Sequence, residues 1–371
     1  ALLTSGRAAM DGIAAITFTE AAASELREKV RWALETQAQN PAHGEAERSR
    51  CLTALRGMER GSIQTLHSFA GALLRERPLE AGLPPSFDTI EEIEAGLDLE
   101  TRWQEWLDQA LESPEIGPLV LEALTLGLRL GDLRRIAESF HDSYDLLTQP
   151  FPEAEQPARR TARALIESVE EIQRLLPLAR NGMDDPLASH AGQVAALGGR
   201  LAASGAPSDA ALALLSRWGR LWTNRGKQSD WDPDPTTGKN GCTALKDLLK
   251  GLEDLRVQEV EEARRAAFLP LLECLRSFVL EYAEERRRSG RAEFHDLLVW
   301  ARDLLRDDPQ ARNHFQQRFS HVLIDEFQDT DPIQAEIAFF LAGREGVDGL
   351  RNGTPPDWTR MKIVPGKLFM V

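Results

Sequence analysis

Cysteine is scarce in this chain. Cys51, Cys242 and Cys274 are the only three, odd in number and far apart in sequence. They form no CxxC pair and no zinc spacing, which excludes a disulfide framework and suits a reducing cytoplasm. The seven histidines are equally scattered, none at metal-ligand spacing from another. No apolar run approaches the ~18 residues of a membrane span, and no charged-then-apolar leader opens the chain, so neither a membrane partner nor a secretory signal is expected. A phosphate-cradling loop, G-x-x-x-x-G-K-[ST], is missing too. Thr237-Gly238-Lys239-Asn240 imitates its end, but Pro233 stands at the first glycine position and Asn240 at the hydroxyl position. Val364-Pro365-Gly366-Lys367-Leu368 fails for want of a following hydroxyl. No internal repeat is present.

At 371 residues and 42% apolar composition, the chain is long enough for two lobes. Its net charge of −15 is unevenly spread. Residues 1–90 hold 10 basic and 11 acidic side chains, and residues 286–371 hold 13 of each. The middle, 91–285, holds 21 basic and 35 acidic, so −14 of the −15 lies there. An acidic middle is most simply a solvated helical surface and weighs only weakly against a nucleic-acid partner.

The flanks read as α/β. Ile13–Phe18 is a short apolar strand, Thr19 a helix N-cap, and the next helix runs through Leu26, Val30 and Leu34. A second strand near Ser62–Leu66 leads into a helix through Phe69, Leu73 and Leu74. Val322–Asp325 is a third, buried strand, with a helix from Pro332 to about Leu341. Lys367–Val371 reads as a fourth strand, cut off at its end. Strands alternating with helices predict a parallel sheet with its sites at the strands' C-terminal edge.

The middle has almost no period-2 alternation. Leu133, Ile136, Phe140, Tyr144 and Leu147 step by 3, 4, 4 and 3, and Leu165, Val169, Ile172 and Leu176 by 4, 3 and 4. Phe268, Leu272, Leu275, Phe278 and Tyr282 keep the same rhythm, which is amphipathic helix throughout. Breaks are expected at Gln149–Pro157 and Gly192–Pro207, and a long surface loop at Thr223–Cys242. The expected organisation is 1–90 and 286–371 as two parts of one α/β domain, interrupted by an all-helical lobe of roughly 190 residues at 91–285.

Three strand ends carry chemistry. In His321–Asp331 an apolar run meets two carboxylates; Asp325 at such an edge suits a Mg²⁺ that bridges nucleotide phosphates, and Glu326 suits the orientation and deprotonation of a water. Taken alone, two carboxylates after an apolar run are as readily a solvated strand end. Ile16–Leu26 brings hydroxyls and Phe18 to a helix N-terminus, where a phosphate binds and a base stacks; the plainer reading is a capped helix whose alanines pack tightly. Thr65-Leu66-His67-Ser68-Phe69 repeats the design, and His67 read alone is a hydrogen-bonded cap histidine. Arg286-Arg287-Arg288 reads either as a phosphate contact or as a solvated helix end favoured by the helix dipole.

The string DEFQDTDPIQ resembles the Walker B region of the UvrD/Rep-type superfamily 1A DNA helicases, in particular their RecB/AddA branch. Ile16–Leu26 is similar to that family's motif Ia (TFTxxAAxEL), Thr65–Phe69 to its next DNA-contact motif, and Glu293-Phe294-His295-Asp296-Leu297-Leu298 to its [DE]-F-x-D-L-L segment. His295 stands where this branch often has a carboxylate and is given no role. Ala81-Gly82-Leu83-Pro84-Pro85 and the Glu/Trp-rich helix after it look like the branch's version of the helical insertion.

The resemblance implies a RecA-like P-loop NTPase domain (1A, incomplete) interrupted by helical subdomain 1B. It implies Mg-ATP hydrolysis driving 3′ to 5′ movement on single-stranded DNA, as in the helicase–nucleases of recombination and repair. Asp325 would hold Mg²⁺ at the ATP phosphates, Glu326 would act as base, and Gln328 would sense the γ-phosphate and couple it to DNA. Thr17, Phe18, Thr19, His67 and Ser68 would face DNA, single-stranded or at a duplex end. By that resemblance the phosphate loop would precede Ala1, and the second motor domain with its arginine finger would follow; further partners are the rest of the polypeptide and a helicase–nuclease subunit. The rival readings are a non-catalytic helicase remnant or scaffold that binds DNA or a partner without turnover, and some other P-loop ATPase with a helical insertion.

Overall fold

The computed structural model describes residues 1–153, 155, 160–205, 209–329, 331–344 and 356–371. In chain order it begins with α1 (Leu2–Ser5), β1 (Ile13–Thr17), α2 (Glu20–Gln39), α3 (Glu45–Arg56), β2 (Ser62–Thr65), α4 (Leu66–Glu76) and β3 (Asp88–Thr89). Seven helices follow: α5 (Glu92–Glu112), α6 (Ile116–Thr125), α7 (Leu130–Asp142), α8 (Thr161–Leu175), α9 (Pro186–Ala203), α10 (Asp209–Arg217) and α11 (Gly241–Ser289). The last part holds β4 (Arg291–Ala292), α12 (Phe294–Asp307), α13 (Pro309–Arg318), β5 (His321–Ile324), α14 (Pro332–Ala342), β6 (Gly343–Arg344), β7 (Lys362–Ile363) and β8 (Leu368–Met370). Two compact units result, Ala1–Leu99 with Glu281–Val371, and Glu100–Leu280. Their divisions fall inside α5 and α11. No helix among the described residues is long and apolar enough to cross a membrane.

The first unit is built on a four-stranded sheet of order β2-β1-β5-β8, every neighbouring pair parallel. The register aligns Thr17 with Thr65 and Ile16 with Ile324, so β1, β2 and β5 end at one edge. Side chains alternate across a sheet, which puts Ala15, Ile63 and Leu323 on one face, against Leu34 of α2 and Cys51 and Ala54 of α3. On the other face Val322 and Ile324 are buried beneath helices that include α14, and α12 packs against both α4 and α14.

The Val322–Asp325 expectation is met in position, since β5 lies between β1 and β8, but its burial alternates. His321 and Leu323 are half-buried, and Leu323 borders an apolar cleft of about 530 Å³ between α1, α2 and the sheet. Where the chain enters and leaves its long helical stretch, β3 pairs in parallel with β4. Gly290 is held at φ 71°, and a Cβ there would lie 2.6 Å from Pro84, so no other residue fits without a shift.

The second unit is helical; among its described residues the only β pairing is two isolated bridges, Ala179 with Trp231 and Pro233 with Asn240. The expected break over Gly192–Pro207 narrows, among its described residues, to Ser204 and Gly205, because α9 runs on to Ala203. Asp185 caps that helix, its carboxylate accepting from the backbone N–H of Leu187 and Ala188 at 2.8 and 3.1 Å. Gly198 is a close-approach residue: a Cβ there would come within 2.4 Å of Val169 on α8. Residues 206 and 207, and 154, 156 and 157 of the Gln149–Pro157 break, lie outside the described residues.

Thr223–Cys242 is irregular and mostly exposed, as expected of a surface loop, but buried positions anchor it. Trp231 is buried in the unit's core, and Asp234, also buried, accepts from Arg174 at 2.6 Å and from the Thr237 hydroxyl at 2.6 Å. The Arg174 guanidinium, and then that hydroxyl, hold the Asp234 carboxyl well below the usual carboxylate range. A polar composition hid a tryptophan anchor and an internal ion pair.

Helix α11 organises this unit by capping its neighbours' backbones. Glu253 accepts from Leu221 N–H at 2.7 Å, and Glu273 from Phe151 N–H at 3.0 Å. Glu259, buried, accepts from Arg160 and Thr161 N–H at 2.7 and 2.6 Å and so closes the N-terminus of α8. Glu259→Ala leaves two amides of a helix end without this acceptor. It is expected to lower unfolding free energy by about 1–3 kcal/mol in a urea titration. An unchanged midpoint and slope would remove the cap from the account of this unit.

Candidate functional site

The C-terminal edge of the sheet gathers the three chemistry-bearing strand ends. A cavity of about 30 Å³ there is lined by Thr17, Phe18, Leu66, His67, Asp325 and Gln334 among others. Three segments far apart in sequence therefore share one pocket, because β1, β2 and β5 are adjacent, parallel and in register.

At β5, Asp325 N–H donates to the Ile16 carbonyl at 3.0 Å, which leaves the Asp325 carboxylate exposed beyond the strand. Val371 N–H donates to Ile324 and Phe327 N–H to Val371, both at 3.0 Å, so β8 fixes the loop that follows. Glu326 takes φ 57° and is the one non-glycine residue at positive φ among the described residues. That left-handed conformation costs roughly 1–2 kcal/mol for a residue with a Cβ, and strain of this kind concentrates at functional positions. Both Glu326 and Gln328 are exposed, and the Gln328 side-chain amide donates to the Glu326 carboxylate. Asp331 caps α14 by accepting from Ile333 N–H at 3.1 Å, while Thr330 of the same string lies outside the described residues.

At β1 the three expected residues divide. Phe18 is 43% exposed at the edge, a large exposure for an aromatic. Thr19 is exposed and caps α2, its hydroxyl accepting from Ala22 N–H at 3.1 Å. Thr17 is buried and its hydroxyl donates to the Thr19 carbonyl at 3.1 Å. Of the three, Thr17 alone has its hydroxyl engaged inside the fold, while it still lines the edge cavity.

At β2, Thr65 caps α4 by accepting from Ser68 N–H at 3.3 Å, and Ser68 is exposed. His67 is half-buried, with its ring edge-on to Phe294 at a centroid distance of 5.7 Å. Burial first, and nearby His295 second, push the His67 imidazole below the usual histidine range. Two residues passed over in the sequence sit with these: Phe294, 56% exposed, and Glu20, whose carboxylate accepts from the Thr65 and Ser68 hydroxyls. No periodicity marks them; the only available signal for Phe294 was its place in Glu293–Leu298.

The arginine run divides, and two of its three members fit neither reading above. Arg286 is buried, its guanidinium donating to both oxygens of Asp296 at 2.8 and 2.9 Å. Arg287 donates through Nε to the Ala81 carbonyl at 3.0 Å, and only Arg288 is a solvated helix-end residue, paired with Glu284. Sequence spacing could not reveal that α12 folds back on α11 and presents Asp296 to it.

The donor set also bears on a metal. No group of three or more His, Cys, Asp or Glu side chains suited to a metal ion occurs among the described residues. Mg²⁺ uses one or two carboxylates completed by phosphate oxygens and water, and the exposed Asp325 fits that requirement. The wide cleft beside α2 does not suit phosphates, since aliphatic side chains such as Leu26, Val30 and Leu34 line it.

Comparison with known proteins agrees with this arrangement. The chain is 23% identical over 406 residues to an ATP-dependent helicase/nuclease subunit from Pediococcus pentosaceus, an alignment covering 98% of this chain and 31% of that protein. It is 26% identical over 387 residues to the equivalent helicase/nuclease subunit from Geobacillus kaustophilus, covering 90% and 30% respectively. The Streptococcus sanguinis protein of the same name is 30% identical over 124 residues, covering 28% of this chain and 10% of its own length. The chain thus spans about a third of the length of the first two relatives. The profile of the UvrD/REP helicase N-terminal domain matches residues 1–347, which include the ends of β1, β2 and β5. With that match over nearly the whole chain, and a parallel sheet carrying its motifs on one edge, the chain belongs to the UvrD/REP helicase N-terminal domain family.

Proposed function

We propose that this chain forms part of an ATP-dependent DNA helicase that couples Mg-ATP hydrolysis to 3′ to 5′ movement on single-stranded DNA, in a helicase–nuclease assembly of recombination and repair. The observation that carries this reading is the single edge at which Asp325, Phe18 and His67 line one cavity. Mg-ATP, when bound, supplies the phosphorus under attack and a cation for which Asp325 provides a ligand. Glu326 orients an attacking water and accepts its proton. Gln328, already hydrogen-bonded to Glu326, relays the state of that carboxylate along the loop. Phe18 offers a face for a base, while Thr19, Ser68 and His67 sit where a sugar–phosphate backbone would pass. The resemblance to helicase/nuclease proteins supports two further ligands, a duplex DNA end and a partner subunit.

A salt titration of the 371-residue protein with a fluorescent single-stranded oligonucleotide, read by anisotropy, tests the DNA half of this reading. Weak binding with little sequence preference is expected, because half a channel engages few phosphates. Affinity should fall with salt at a log–log slope of about −0.7 per phosphate neutralised. Phe18→Ala should cost about 1–3 kcal/mol at every salt concentration, since stacking does not depend on counterions. Equal binding by Phe18→Ala and wild type throughout would make β1–α2 a capped core helix only, and would favour a scaffold without nucleic-acid contacts here.

A further inference from the structure

Glu20 ties the two proposed DNA-facing loops together. It is the first residue of α2, directly after the Thr19 cap and two residues after Phe18. Its Oε1 accepts from the Thr65 hydroxyl at 3.0 Å and from the Ser68 hydroxyl at 3.0 Å. Those hydroxyls belong to the cap and first turn of α4, which also carry His67. The Thr65 and Ser68 oxygens lie 2.9 Å apart, so one carboxylate oxygen meets both as a three-membered cluster. Farther along α2, Arg27 donates through Nε to the Ile63 carbonyl of β2 at 2.8 Å and lies 3.8 Å from the other oxygen of Glu20. The start of α2 is therefore fastened to β2 and α4 at two heights.

We infer that Glu20 is a positioning residue for single-stranded DNA, setting the spacing between Phe18 on one loop and His67 and Ser68 on the other. The inference rests on the DNA-binding reading above. Its physical basis is that a hydrogen bond holds geometry whatever the sign of its long-range field, whereas that field opposes DNA. A carboxylate beside a phosphate chain repels it, so a residue of this charge at such an edge weakens binding unless its contacts contribute something else. Here they do: Ser68 has one hydroxyl proton and one amide proton, and the amide donates to Thr65 while the hydroxyl donates to Glu20. Both loops thus keep one relative position before DNA arrives, which reduces the ordering cost of binding.

Two substitutions separate geometry from charge. Glu20→Gln removes the charge and keeps an oxygen able to accept both hydroxyls; Glu20→Ala removes both. With the 371-residue protein and a fluorescent oligodeoxythymidine in anisotropy titrations, Glu20→Ala is expected to bind about 3–10-fold more weakly than wild type, the scale of ordinary hydrogen-bond loss. It should do so although it deletes a negative charge. Glu20→Gln should bind as tightly as wild type or more tightly, and melting temperatures of all three should agree closely, since the side chain is largely exposed. In addition, the penalties of Phe18→Ala and His67→Ala should be coupled in a double-mutant cycle on wild type and additive on Glu20→Ala. Tighter binding by Glu20→Ala, or equal weakening by Gln and Ala, overturns the inference, as does wild-type affinity in Glu20→Ala. A wild-type protein that does not bind the oligonucleotide at low salt overturns the DNA-binding reading itself, and the inference with it.

Discussion

Glu326→Gln, in a polypeptide that joins this chain to a nucleotide-phosphate loop, is expected to slow ATP hydrolysis by about 10²–10⁴-fold, the usual scale for losing a general base. The amide keeps the shape and the contact with Gln328 but cannot take a proton. ATP affinity should change little, because Glu326 lies beyond Asp325 and its proposed part is in the attack rather than in holding phosphates. A second variant separates chemistry from strain. Glycine is at ease at φ 57°, so Glu326→Gly should be as inactive as the glutamine variant yet no less stable. The 371-residue chain alone should show no measurable turnover, with or without DNA, since its sequence holds no G-x-x-x-x-G-K-[ST] loop to cradle a triphosphate. Phosphate release measured at saturating ATP decides the matter: turnover that survives Glu326→Gln removes this residue from the role of base.

Asp296→Ala is expected to destabilise the protein by about 3–5 kcal/mol, the cost of taking from the buried Arg286 the carboxylate that meets it at two points, with Glu293 remaining 3.5 Å away. Arg286 and Asp296 are both buried, and their paired hydrogen bonds of 2.8 and 2.9 Å join the end of α11 to the start of α12. Asp296 also accepts from Glu293 N–H at 2.9 Å and so closes the N-terminus of α12. The Tyr282 ring lies 4.5 Å from the Arg286 guanidinium carbon, a further reason that arginine has no route to solvent. Asp296→Asn, which keeps the shape and an acceptor, should lose less. Arg286→Met combined with Asp296→Leu should recover much of the loss, because removing both charges removes the desolvation penalty with them. Urea unfolding of the four proteins tests this order; a loss under ~1 kcal/mol in Asp296→Ala contradicts the energetics assigned to the pair.

Much of the edge was legible in the residues because its signals are local. Ile13–Thr17 and His321–Ile324 are short, mainly apolar runs that stop at a hydroxyl or a carboxylate, and Thr19, Thr65 and Asp331 each cap the helix that follows. A strand's period and a helix's cap depend on neighbours a few residues away, so a linear reading reaches them. The helical character of the middle followed in the same way from spacings of three and four.

What the chain order did not contain is which side chains meet across it. Thr17 and Thr19 look alike in sequence, yet Thr17 closes β1, whose five residues are all buried, and Thr19 stands beyond the strand at the exposed cap of α2. Gly198 reads as a helix breaker until Val169 is seen to occupy the space where its side chain would be. Arg286, Asp296, Glu20 and Ser68 carry ordinary surface composition, and their partners lie 10 to 48 residues away. The sequence by itself determined the main strands of the parallel sheet, the helical middle and which residue types stand at each strand end, because hydrophobic periodicity and capping act within one turn or one strand. Tertiary structure alone decided which residues share a cavity, which charges are buried and where Glu326 is strained, because those properties arise from register and packing between segments distant in the chain.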